Sequence, residues 1–269
     1  MVDIHQLTVK IGAKAILQSI NLQLNVGEVT VILGANGAGK STLLKAIGGI
    51  IPSALSSVKL HGRRLNTIAQ SELAKQRGIF SQSISISHAM KVWEVVALGR
   101  FPYTNERKVE QQRIVFEQLE ALQLLPFADR IIQSLSGGER QRVHFARVLT
   151  QLYDKKSTSL KLLLLDEPSN NLDIKYQFQC LEKAKQFSRQ GHAVVAVLHD
   201  IRLAAQFADR IVLLKEGKLL ATGKTNQALT SENLSACYDF PITVVPTPQA
   251  SIPQFQYGQM TSHYSKITS

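Results

Sequence analysis

Residues Gly34-Ala35-Asn36-Gly37-Ala38-Gly39-Lys40-Ser41 match the pattern G-x-x-x-x-G-K-[ST], and nothing else in the chain restricts its fold as strongly. Such a loop works only between a buried strand and a helix. Val29–Leu33 is an apolar, β-branched run of the kind that forms a strand covered on both faces, and Ser41–Ile47 reads as a helix. The glycines let successive backbone N–H groups turn inward around phosphate oxygens, and the helix start aims its positive dipole end at them. Lys40 then reaches the β- and γ-phosphates, Ser41 offers its hydroxyl to Mg²⁺, and Thr42 joins the candidate phosphate-binding set.

A second strand candidate, Leu162–Leu165, ends in Asp166-Glu167. A carboxylate at such a strand end, beside a phosphate loop, helps hold the metal, so Asp166 is the metal-side acid. Glu167 follows it on extended chain, facing the other way, placed to orient or deprotonate an attacking water. A third element, Leu135-Ser136-Gly137-Gly138-Glu139, stands before a helix carrying Arg140, Arg142 and Arg147, and its backbone N–H groups make a second anion site. One active site needs only one phosphate loop. A second therefore points to a composite site.

The surrounding pattern is α/β. Ile4, Leu7 and Val9, then Ile20, Leu22, Leu24 and Val26, alternate with polar residues as half-buried strands do. From about Ser83 the apolar spacing becomes helical, over Val92–Leu98, Val109–Leu125 and Glu139–Leu152. Leu162–Leu165, Ala193–Leu198 and Ile211–Leu214 then alternate with helical stretches, the signal for a mostly parallel sheet. The reading divides the chain into one nucleotide-binding domain over 1–240, with a helical insertion at about 83–155, and a tail over 241–269. The tail is rich in Pro, Ser, Thr and Gln and reads as extended or loosely ordered, with Ile242–Val245 as a candidate edge strand.

These motifs, in this order, resemble the nucleotide-binding subunits of ABC transporters over about Val2 to Thr230. The resemblance implies a P-loop ATPase with a mostly parallel core sheet, an N-terminal antiparallel β subdomain and an inserted helical subdomain. It makes Leu135–Glu139 the signature motif, Gln82 the Q-loop glutamine that joins Ser41 and Asp166 at the metal, Asn170–Asp173 the D-loop, and His199 the switch histidine. ATP and Mg²⁺ are the implied cofactors. Each ATP would lie between Gly34–Ser41 of one subunit and Ser136, Gly137, Gly138 and Asp173 of its partner in a homodimer, with Glu167, His199 and Gln82 as the catalytic set. Two transmembrane permease subunits and, indirectly, an extracellular or periplasmic substrate-binding protein complete the implied assembly, on the cytoplasmic face of the inner membrane. One departure is that Lys10-Ile11-Gly12 stands where relatives place an adenine-stacking aromatic.

The wording Val96-Ala97-Leu98-Gly99-Arg100-Phe101-Pro102-Tyr103 resembles ATPases of iron-siderophore, haem and cobalamin importers, and the short insertion at Asp154–Ser159 with Asp200–Ala205 after His199 is most similar to the haem (hemin) importer ATPases among them. Trp93, Arg100 and Tyr103 are the expected contacts to a transmembrane partner, and Val92, Val95 and Val96 fit subdomain core equally well. The formal net charge of +11 also suits a soluble ATPase acting on nucleic acid or ribosomes. Its distribution argues otherwise: the net charge is +6 over residues 1–82, +4 over 83–161 and +1 over 162–269, which places the excess beside the phosphate loop and in the insertion. A phosphate-binding module without catalysis conflicts with the joint presence of Lys40, Asp166, Glu167 and His199. Cys180 and Cys237 are too far apart in sequence to suggest a disulfide framework or metal pair, as in a reduced cytosolic protein.

Overall fold

The computed structural model describes residues 2–81, 86, 88–154, 158–168, 174–246 and 252–258. Its first layer is antiparallel. β1 (Val2–Ile11) and β2 (Lys14–Leu24) pair along their lengths, and β1 also pairs with β4 (Val58–Leu60), which turns back into β5 (Arg63–Arg64). Val2, Ile4, Leu7 and Val9 are buried while Gln6, Thr8 and Lys10 are exposed, as alternate side chains on a one-sided sheet must be.

The second layer is a six-stranded sheet built on β3 (Val29–Leu33), β6 (Arg77–Phe80), β7 (Leu162–Asp166), β8 (Ala193–Val197), β9 (Arg210–Lys215) and β10 (Lys218–Lys224). Its order is β10-β9-β3-β8-β7-β6, and every neighbour is parallel except β10, which returns antiparallel on β9. β3, β7 and β8 are buried at every position. Their two faces feed different cores. Ile32, Leu164, Val195 and Val212 join α1 (Lys40–Ile47), α2 (Gln70–Gln76) and the antiparallel layer, whereas Val31, Leu165, Ala196 and Ile211 face the helical insertion and the C-terminal elements.

The insertion between β6 and β7 contains α3 (Val92–Ala97), α4 (Lys108–Ala121) and α5 (Gly137–Leu152). α5 runs back to the sheet, where Gln151 Nε2 donates to the carbonyls of Ala74 and Arg77 at 2.7 and 3.0 Å. Val92, Val95 and Val96 are fully buried here. α6 (Ile174–Arg189) and α7 (Ile201–Phe207) cover the same face, followed by α8 (Thr225–Ala228) and α9 (Ser231–Tyr238). Among the described residues no helix is long and apolar enough to cross a membrane.

The tail differs from its sequence reading. Ile242–Val245 adds to neither large sheet; as β11 it pairs antiparallel with β12 (Gln254–Tyr257), and Ile242 and Phe255 enter the core. The Ser235 hydroxyl of α9 bonds the backbone of Ile242 in both directions, which ties the hairpin to the helix rather than to a sheet edge. Cys180 and Cys237 are free and buried.

Candidate nucleotide site

Three neighbouring parallel strands, β3, β8 and β7, end at one edge of the sheet, where open α/β folds place their ligands. β3 delivers the loop. Gly34, Gly37 and Gly39 all have positive φ (153°, 80° and 99°), and Gly39 caps α1 in the left-handed region. A Cβ on Gly34 would lie 2.2 Å from the Leu214 carbonyl oxygen, so only glycine lets the loop pass that close to β9. Lys40, 5% exposed, folds over the loop and donates from Nζ to the carbonyls of Gly34 (2.8 Å) and Ala35 (3.0 Å). Burial pulls its ammonium below the ordinary lysine value, and the charges of Glu167, Cys237 and Asp166 oppose that shift.

β7 delivers the acids. The Ser41 hydroxyl donates to Asp166 Oδ1 at 2.8 Å, joining the start of α1 to the end of β7. Burial raises the Asp166 carboxyl above its usual range; the Ser41 hydrogen bond works against this and the nearby Glu167 charge adds to it. Among the described residues no three His, Cys, Asp or Glu side chains cluster as a complete metal cage. A hydroxyl and a carboxylate, both hard oxygen donors, nevertheless fit Mg²⁺, which takes few protein ligands and keeps phosphate and water for the rest.

Glu167 departs from the extended-chain expectation. Its φ is +52°, and its N–H donates to the Val197 carbonyl at 3.2 Å, so the chain turns left-handed over the end of β8. That turn brings Glu167 Oε1 to 2.6 Å from His199 Nε2. His199 itself leaves β8 just ahead of Asp200, whose carboxylate caps α7 by accepting from the N–H groups of Arg202 and Leu203. Lys40, Ser41, Asp166, Glu167 and His199 thus share one sheet edge.

The second loop is built as a capping box. Ser136 caps α5, its Oγ accepts from Glu139 N–H at 3.3 Å, and Glu139 Oε2 accepts from Ser136 N–H at 2.8 Å. The Ser136 hydroxyl and backbone bonds hold the Glu139 carboxyl below its usual range. Ser136 and Gly137 face solvent at the start of α5. Gln82 and Asp173, with Asn170–Leu172, lie outside the described residues.

Two expectations for the insertion need correction. Arg100 and Tyr103 are only 3% and 9% exposed, because the Arg100 guanidinium bonds Glu106 and backbone carbonyls and packs on the Tyr103 ring. Trp93 is part-buried against the same core. The exposed apolar side chains of that turn are Leu98 and Phe101. Ile11, at the β1–β2 tip, is also exposed. Sequence reasoning missed one neighbour of the site: Tyr238, Phe240 and Tyr257 enclose with His199 and Arg202 a cavity of about 510 Å³. The clustering of aromatics in the last forty residues was its only sequence signal.

A glycine cradle, a hydroxyl–carboxylate pair and a second carboxylate on a histidine define a phosphate-handling ATPase, and the pattern of the ABC transporter family matches residues 17–170. The chain belongs to that family. It is 39% identical over 254 residues to the hemin import ATP-binding protein of Shewanella denitrificans, covering 94% of this chain and 99% of that one. The hemin import ATP-binding protein of Gloeobacter violaceus is 40% identical over 91% of this chain and 90% of its own. Among solved structures, a metal-chelate type ABC transporter in an inward-facing conformation superposes with a TM-score of 0.80 at 27% identity, covering 97% of this chain and 98% of that one. A dimeric ATP-binding cassette bound to ADP and phosphate gives 0.71 at 28% identity, over 84% and 99%.

Proposed function

We propose that this chain is the ATP-hydrolysing subunit of a haem importer, acting as a homodimer with two composite sites beneath two transmembrane subunits, peripheral to the cytoplasmic face of the membrane. Support for the ATPase chemistry comes from the Lys40, Ser41–Asp166 and Glu167–His199 groups standing at adjacent strand ends. Lys40 exchanges two carbonyl partners for β- and γ-phosphate oxygens, which bond an ammonium more strongly. Backbone N–H groups from Gly34 to Thr42 surround the rest of the phosphate chain.

Ser41 and Asp166, with Gln82, hold Mg²⁺, which when bound neutralises charge on the transferring phosphoryl group. Glu167 accepts a proton from water as the water oxygen bonds the γ-phosphorus and the bond to the β-phosphate oxygen breaks. His199 holds the Glu167 carboxylate and faces the γ-phosphate. Ser136, Gly137 and Gly138, with Asp173, close on the ATP of the partner protomer. Ile11 stands where relatives place an adenine-stacking aromatic, so an aliphatic contact there gives a weaker base preference, with ATP still the preferred nucleotide.

Haem as cargo is supported by hemin import ATP-binding proteins that match nearly the whole chain. The metal-chelate type transporter is equally compatible with a second reading, a ferric siderophore or cobalamin, because all three cargoes are metal chelates. The full transporter in lipid nanodiscs, given haem, a ferric siderophore or cobalamin on its binding protein, distinguishes them. Haem stimulates ATP hydrolysis under this proposal; stimulation by either other cargo alone overturns the haem assignment.

A further inference from the structure

The last turn of α5 leaves carbonyls without helical partners, as every helix end does. Here the carbonyls of Thr150, Gln151 and the C-cap residue Tyr153 are met by one segment from about fifty residues upstream. Arg100 Nη1 donates to Thr150 O and Tyr153 O, each at 2.6 Å, and the Tyr103 hydroxyl donates to Gln151 O at 2.9 Å. The other edge of the guanidinium makes a two-point bond to Glu106 at 2.8 and 2.6 Å, and its carbon lies 3.7 Å from the centre of the Tyr103 ring. A cation at a helix C-terminus also complements the helix dipole. Gly99 brings the segment against α5 backbone to backbone, since a Cβ there would sit 2.4 Å from Arg147 O and 2.9 Å from Gln151 N.

The opposite face of this segment is bare. Leu98–Arg100 is a 3₁₀ turn closed by the Phe101 N–H to the Leu98 carbonyl, which aligns side chains three apart, so Leu98 (45% exposed) and Phe101 (85% exposed) share one face while Arg100 points inward. Beyond the clamped end, α5 runs 16 residues, about 24 Å, to the Ser136–Gly138 loop.

We propose that Arg100 and Tyr103 are positioning residues for the second anion loop. By clamping the C-terminal end of α5 they fix the angle at which Ser136, Gly137 and Gly138 are presented to the partner protomer's ATP. The inference rests on the composite-site reading of the proposed function. Charge alone does not suffice for such a clamp. Its carbonyls and carboxylate are gripped by a planar fork, which lysine cannot reproduce.

The test uses the full chain carrying Glu167→Gln, with and without Arg100→Lys or Tyr103→Phe, and measures two constants separately. ATP affinity of the dilute monomer reads the cradle, and the ATP-dependent dimer dissociation constant by sedimentation reads the composite site. Arg100→Lys weakens the dimer by about fivefold or more, the lower end of coupling between linked sites, and leaves monomer ATP affinity unchanged. Tyr103→Phe, which loses one hydrogen bond and keeps the ring, shifts the dimer constant in the same direction by less. If Glu167→Gln alone fails to dimerise with ATP, the composite-site reading falls and the inference with it. Formation of equally tight dimers by all variants overturns the inference alone. A parallel fall in ATP affinity and thermal midpoint also overturns it, because the clamp would then be general packing.

Discussion

Replacing Glu167 by Gln separates binding from chemistry more cleanly than any other change at this site. The side chain keeps its volume, and an amide oxygen can still face His199 Nε2 across the 2.6 Å contact. The left-handed turn is held by the Glu167 N–H bond to Val197 O, which the substitution leaves alone, as it does the Lys40 bonds to Gly34 and Ala35. Nucleotide affinity therefore changes by less than about tenfold, or roughly 1.4 kcal/mol. What is lost is the proton acceptor. A positioned general base contributes about 10²- to 10⁴-fold, so the barrier rises by roughly 3–5 kcal/mol. Single-turnover hydrolysis with labelled ATP gives the rate directly, and the stalled protein accumulates as an ATP-bound dimer. Hydrolysis within tenfold of the unsubstituted chain refutes the assignment of Glu167 as base.

Lys40→Ala removes the buried ammonium that spans Gly34 and Ala35 and weakens ATP binding by about tenfold or more, measured by equilibrium dialysis; unchanged affinity contradicts the cradle. Gly34→Ala drives a Cβ into Leu214 O and lowers stability by about 1–3 kcal/mol, read as a fall in the urea midpoint, with nucleotide binding lost alongside. His144 supplies a pH test. Burial, then Arg147 and Arg140, depress its pKa to about 4, so the unfolded chain binds this proton more tightly than the fold does. Stability present above the unfolded value near 6.5 is lost as pH falls toward 4, about 2 kcal/mol between pH 7.5 and 5. His144→Gln flattens that slope in urea titrations; an unaltered slope rejects His144 as its source.

Much of the site was legible because its chemistry sits at the junctions of strongly patterned elements. Val29–Leu33 and Leu162–Leu165 can hardly be anything but buried strands, so the residues that follow them, Gly34 onward and Asp166, had to emerge at a sheet edge. The Ser136-Gly137-Gly138 run was likewise legible as the start of a helix, whereas the reciprocal Ser136–Glu139 capping box came from the structure. What stayed hidden depended on contacts between distant segments. A Gly-Arg-x-Pro-Tyr run reads as a surface turn, and nothing local shows that Arg100 and Tyr103 are drawn inward by carbonyls at Thr150, Gln151 and Tyr153. The left-handed turn at Glu167 was hidden for a related reason, because the Val197 carbonyl that stabilises it lies on another strand. Pairing of β11 with β12 was equally non-local, and hydropathy alone could not distinguish a tail hairpin from an edge strand.

ATP-driven haem movement is the quantity on which the functional account stands. With the transporter in sealed vesicles, ATP on the side of this subunit and haem on its binding protein opposite, haem absorbance on the ATP side should rise with time. The same vesicles carrying Lys40→Ala should show no rise. Hydrolysis of ATP with no haem crossing, or haem crossing equally with Lys40→Ala, contradicts the account.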